Sequence, residues 1–74
     1  MKSKPTNFTA EFGLKLKIER IKKRYTQEEL ADIAGISRAA YGSIERGESS
    51  PTIDTVAMLA RALGLEVWQL FKFE

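Results

Sequence analysis

A chain of 74 residues has room for one small domain, whose buried core supports only marginal stability in a monomer. With neither Cys nor His, it excludes disulfides, imidazole acid–base catalysis and the usual zinc sites, and the lack of a long apolar run excludes a membrane-spanning helix. The net charge of +2 hides an asymmetry: residues 1–24 carry eight basic against two acidic side chains, and residues 25–74 carry four against eight.

A basic front half suits a polyanionic partner, although a solvated helix rich in lysine would look the same. No signal-peptide pattern is visible, so a cytoplasmic setting is expected. Residues 1–10 are polar and hold one proline, as a flexible arm would. The domain proper is expected over residues 11–74. A first helix is predicted from about Glu11 to Arg24, apolar on two sides. Phe12 and Leu16 share one face with Glu19 and, at its edge, Arg20. Leu14, Ile18, Ile21 and Tyr25 share the other, which needs a cover that Phe8 or Phe73 could supply.

The second helix has clear ends. Thr26 is a good N-cap, Glu29 three residues on completes a capping box, and Gly35 suits the left-handed position that closes a helix. Ser37 caps a third helix that ends at Gly47, with Tyr41 and Ile44 pointing inward and Arg38, Ala39, Gly42, Ser43 and Arg46 facing out. Glu48 to Pro51 makes a turn. Thr52 then caps a fourth helix with the apolar residues Ile53, Val56, Ala57, Leu59, Ala60 and Leu63, stopped by Gly64. Val67 to Phe71 is read as a fifth short helix. The expected fold is therefore all-α, a compact five-helix domain with a helix-turn-helix at helices 2 and 3.

TQEELADIAGIS, IERGESSPT and LARALGL together resemble the phage repressor and Cro-like helix-turn-helix family. The resemblance runs from about Phe12 to Phe71 and rests on the spacing of Gln27, Ala31, Gly35, Ile44, Glu45, Gly47, Pro51, Leu59, Ala60 and Leu63. It implies that helix 3 enters the major groove of double-stranded DNA. It also implies an ion pair between Arg20 and Glu45, tying helix 1 to the end of helix 3. Arg38 falls where relatives reach base edges, a position suited to a bidentate arginine–guanine contact. Ala39 and Ser43 are further base-reading candidates. Gln27, Ser37, Arg46, Ser49, Ser50 and Thr52 are candidates for phosphate contact, with Ser37 capping, touching phosphate, or both. Glu48 would repel a phosphate and is expected to point away.

Two residues depart from the family pattern. Gly42 loosens helix 3, either to allow close approach to DNA or with no consequence. Tyr41 stands where an aliphatic residue is usual, and its ring fits a core only if its hydroxyl finds a partner. Trp68 lands where relatives are polar. With Val67 and Phe71, which match family core positions, it is the candidate dimer interface; the alternative is that Trp68 and Phe73 fold back over helix 1.

The reading that results is a sequence-specific DNA-binding transcription regulator. It would act as a homodimer on a roughly palindromic operator, with its own promoter as an expected target, in the manner of a restriction–modification controller or a phage-type repressor, and as repressor, activator or both. The alternative is an antitoxin whose main task is binding a partner toxin. No metal or cofactor is expected. Acidic pairs such as Glu28 with Asp32 look like an exposed helix face, and no nucleophile–base set suggests an enzyme.

Overall fold

The computed structural model describes residues 8–73. Four α-helices follow one another among these residues: α1 (Phe8–Lys22), α2 (Gln27–Ala34), α3 (Arg38–Glu45) and α4 (Ile53–Leu63). A single 3-10 turn, Val67–Phe71, closes the domain. The expected five full helices are thus four and a turn. Five residues are too few to repay the nucleation of an α-helix, and the tighter ladder wins: Gln69 N–H donates to the Glu66 carbonyl at 3.0 Å and Lys72 N–H to the Gln69 carbonyl at 3.4 Å. The turn still inserts Leu70 fully into the core.

The helix starts follow from local chemistry. Thr26 Oγ1 accepts from Glu29 N–H at 3.0 Å while Glu29 Oε1 accepts from Thr26 N–H at 2.8 Å, a reciprocal capping box. Ser37 and Thr52 accept from Ala40 N–H and Thr55 N–H at 3.0 and 3.1 Å. All four helices end alike, on a residue of positive φ followed by a long backward hydrogen bond: Tyr25 N–H to Arg20 O, Ile36 N–H to Ala31 O, Glu48 N–H to Ser43 O, and Leu65 N–H to Ala60 O. Glycine fills the left-handed position in three of them. In α1 it is Arg24, at φ 64°.

Helix α1 therefore stops two residues short of the expected Arg24. It also begins earlier than expected, at Phe8, so residues 8–10 of the expected arm are helical. Tertiary contacts hold that extra turn: the Phe8 ring lies 5.9 Å from that of Phe73, and Ala10 packs against Gly47. The rest of the arm, residues 1–7, lies outside the described residues.

One core joins all the elements. Phe12 and Leu16 of α1 meet Leu30, Ala31 and Ala34 of α2, Tyr41 and Ile44 of α3, and Val56, Leu59, Ala60 and Leu63 of α4, with Leu70 beneath them. Helix α1 packs on α3 and α2 on both α3 and α4, while the 3-10 turn bridges α1 and α4. Gly13 decides how closely α1 approaches α3. A Cβ there would lie 2.5 Å from the Glu45 carbonyl oxygen and 2.6 Å from that of Ile44, so only glycine fits without moving backbone.

Several expected inward residues are not buried. Ile53 is almost fully exposed, and Val67 and Phe71 keep nearly half their surface open. Gly42, expected to face out, is buried beside the Arg46 guanidinium. A single small domain has too little interior to cover every apolar side chain.

Candidate nucleic-acid interface

Helix α3 presents Arg38, Ala39 and Ala40 to solvent at its first turn, with Ser43 partly exposed one turn on. What holds that surface is a hydrogen-bond network behind it, centred on Glu45. Arg20 donates twice to its carboxylate, from Nε to Oε2 at 2.9 Å and from Nη2 to Oε1 at 3.2 Å. Tyr41 Oη donates to Oε2 at 2.6 Å and Gln27 Nε2 to Oε1 at 2.7 Å. Arg20 Nη1 also donates to the Tyr25 carbonyl at 2.8 Å, which fixes the corner between α1 and α2. One carboxylate thus joins the first three helices.

The Glu45 side chain is only 5% exposed and that of Arg20 13%. Burial alone would raise the Glu45 carboxyl, but donors from Arg20, Tyr41 and Gln27 outweigh it and hold the group below its ordinary value of 4.5. The paired carboxylate in turn raises Arg20. Burial, then the adjacent Glu45 charge, pushes the Tyr41 hydroxyl far above its ordinary 10.0, so it stays a proton donor. That hydrogen bond supplies the partner Tyr41 needs to fill the core with a polar ring.

The network reaches the surface through Gln27. Its amide N–H faces the anion Glu45, so its carbonyl oxygen faces outward, where it accepts from Arg38 Nη2 at 3.0 Å. Gln27 and Arg38, read from the sequence as separate contacts, are thus one unit. The links of Gln27 and Tyr41 to Glu45 were not read from the sequence. Tyr41 and Glu45 sit four residues apart on one helix face, a spacing that signals the pair. The Gln27 link spans two helices and leaves no such signal.

The other end of α3 is built differently. Arg46 Nη2 lies 3.0 Å from Glu48 Oε1, and both side chains are 58% exposed. Glu48, expected to point away, instead pairs with the arginine: a carboxylate two residues on in the chain is the nearest counter-charge. Ser49 and Ser50 are exposed. Thr52 both caps α4 and donates to Thr55 Oγ1 at 3.0 Å, so its hydroxyl is used within the helix start. The Ser37 oxygen is likewise engaged as a cap.

Trp68 is 63% exposed. Near it, Val67 and Phe71 line an apolar cleft of about 230 Å³ with Phe8, Ile53 and Pro51. Phe73 does turn back toward α1, within 5.9 Å of the Phe8 ring and beside Leu14 and Ile18, while Trp68 lines neither cleft. Among the described residues there is no group of acidic side chains that could hold a metal ion, and no helix is long and apolar enough to cross a membrane.

Residues 16–67, which include the capped α2–α3 corner and the Glu45 network, match the family described as Helix-turn-helix. The chain belongs to this family. It is 39% identical over 61 residues to the SPbeta prophage-derived uncharacterized HTH-type transcriptional regulator YonR of Bacillus subtilis; the match covers 82% of this chain and 56% of YonR. The chain thus spans little more than half the length of that relative. Among solved structures, the restriction-modification controller protein C.AhdI of Aeromonas hydrophila superposes with a TM-score of 0.83 at 34% identity, over 84% of this chain and 94% of C.AhdI. The biofilm master regulator SinR, solved in complex with DNA, gives a TM-score of 0.77 at 32% identity, over 80% and 95% of the two chains. These relatives are regulators, and the phage-repressor and controller-protein kinship expected from the sequence holds; none of the three is an enzyme.

Proposed function

We propose that this chain is a sequence-specific DNA-binding transcription regulator, with α3 lying in the major groove of an operator. The observation that carries this reading is the Arg38–Gln27–Glu45 chain of hydrogen bonds, which holds a cation ready at the exposed start of α3. An arginine so held is prepared for bidentate contact with guanine, and ordering it before binding lowers the entropy lost on binding. Ala39 and Ser43 extend the base-facing surface. Ser37, Ser49, Ser50 and Arg46 flank it as phosphate contacts, Arg46 after release from Glu48. Gln27 serves mainly to position Arg38, and at the first turn of α2 it is also a phosphate contact. Thr52 contributes through the backbone N–H groups of the α4 start that it caps.

One α3 reads only a few base pairs, so the operator is a pair of half-sites about 34 Å apart, bound by a homodimer. The Trp68, Val67 and Phe71 surface, continuous with Ile53, is the proposed dimer contact. The kinship with a prophage regulator and a restriction–modification controller supports an autoregulatory role in the cytoplasm, next to the DNA it controls.

Fluorescence anisotropy with DNA from upstream of the gene, against scrambled DNA over a salt series, tests the reading. Preferential binding with a steep salt slope is expected. Arg38→Ala should then cost about 1–3 kcal/mol on the operator alone. Equal loss on every DNA would reduce Arg38 to a phosphate contact. Equal, weak binding of the unaltered protein to both DNAs would remove the regulator reading.

A further inference from the structure

The outer face of α1 takes no part in the core or in the proposed DNA surface. Leu14, Ile18 and Ile21 recur there at spacings of four and three, and remain 57%, 42% and 54% exposed. That spacing is the seam of a coiled coil, with apolar residues at the a and d positions of a heptad. The positions flanking such a seam, e and g, are where partner helices exchange charge. In α1 they are Lys15, Lys17 and Lys22. Phe73 and Lys72 raise one wall beside the seam, giving a groove of about 480 Å³. Glu19 offsets part of this charge from the α1 side, 3.0 Å from Lys15 and 3.4 Å from Lys22, and Glu11 closes the N-terminal end of the groove.

The charge pattern selects the occupant. A second copy laid on this face, parallel or antiparallel, would set lysine against lysine along both flanks, which disfavours self-pairing. An amphipathic helix with apolar a and d residues and glutamate or aspartate at its flanks meets an apolar seam and opposite charge at once. We infer that the outer face of α1 is a docking site for an acidic amphipathic helix of another protein. This site is separate from α3, so docking and DNA binding are compatible on one molecule.

A fluorescein-labelled synthetic peptide of three heptads, with leucine at a and d and glutamate at e and g, is the probe. It is titrated beside a matched peptide carrying lysine at e and g. The glutamate peptide is expected to bind and the lysine peptide to fail. Ile18→Ser, at an exposed position that leaves the core intact, should weaken the glutamate peptide about tenfold or more. Lys17→Glu should weaken it several-fold and begin to admit the lysine peptide. DNA affinity of Ile18→Ser should be unchanged, which separates this inference from the reading of α3. Binding of neither peptide, or equal binding of both, would overturn it. So would a drop in self-association of Ile18→Ser by sedimentation, which would assign the seam to a second copy.

Discussion

Two arginine–carboxylate pairs lie side by side at the C-terminal end of α3, at nearly the same separation: 2.9 Å for Arg20–Glu45 and 3.0 Å for Arg46–Glu48. Their physical weight differs greatly. Glu45 is buried, accepts from three side chains and joins three helices. The Arg46–Glu48 pair is more than half exposed and joins residues two apart in one turn, so solvent and salt screen it. Distance alone does not rank ion pairs; burial and the number of remaining hydrogen bonds do.

The sharpest way to break the contrast is Glu45→Ala. It strands the Arg20 guanidinium and the Tyr41 hydroxyl in the interior, and should cost about 3–5 kcal/mol in urea unfolding. A loss below 1 kcal/mol would place Glu45 among ordinary surface acids. Tyr41→Phe is milder, because the ring stays and Glu45 keeps its other donors. About 1.5 kcal/mol is expected, the low end for a hydrogen bond to a charged group.

Acid titrates the same contrast. Glu45 is held below 4.5 in the folded chain, so the carboxylate form is favoured by folding. Its contribution is complete above the unfolded value and is lost as pH falls through the lowered folded value. Burial would raise Glu19 too, but Lys15 and Lys22 hold it low, and it acts in the same direction. Thermal melting should therefore show stability declining below about pH 4.5, with a shallower decline in Glu45→Gln.

The smallest effect on stability belongs to Glu48→Gln: no measurable change in the unfolding midpoint is expected. Its consequence should lie in DNA binding, where a released Arg46 raises affinity and steepens the log–log salt slope by up to about 0.9. An unfolding midpoint that falls as far as in Tyr41→Phe would erase the distinction between the two pairs.

The same division runs through what was legible in the sequence. The caps Thr26, Ser37 and Thr52 and the stops Gly35, Gly47 and Gly64 are written in residues close along the chain, and each helix start and stop they mark is found in the fold. Helix α1 lacks such punctuation. Its end is set by Arg24 in a left-handed conformation and by Arg20 holding the Tyr25 carbonyl, and its start by Phe73 and Gly47, all read only once the chain is folded. The role of Gly13 is not legible in the sequence, since a glycine inside a helix gives no sign of a backbone arriving from α3. The fifth element lies where the sequence places it, over Val67–Phe71, but as a 3-10 turn, because a segment of five residues is too short to repay α-helix nucleation.

By itself the sequence determined the all-α class, the three capped helix starts and the glycine stops, because those depend on hydrogen bonds, backbone preferences and periodicities spanning a few residues. Only the tertiary structure decided that Gln27, Tyr41 and Arg20 converge on Glu45, that Arg38 is held by Gln27, and which apolar side chains stay outside. Burial and cross-helix geometry depend on how whole helices pack, and no short window of sequence contains that information.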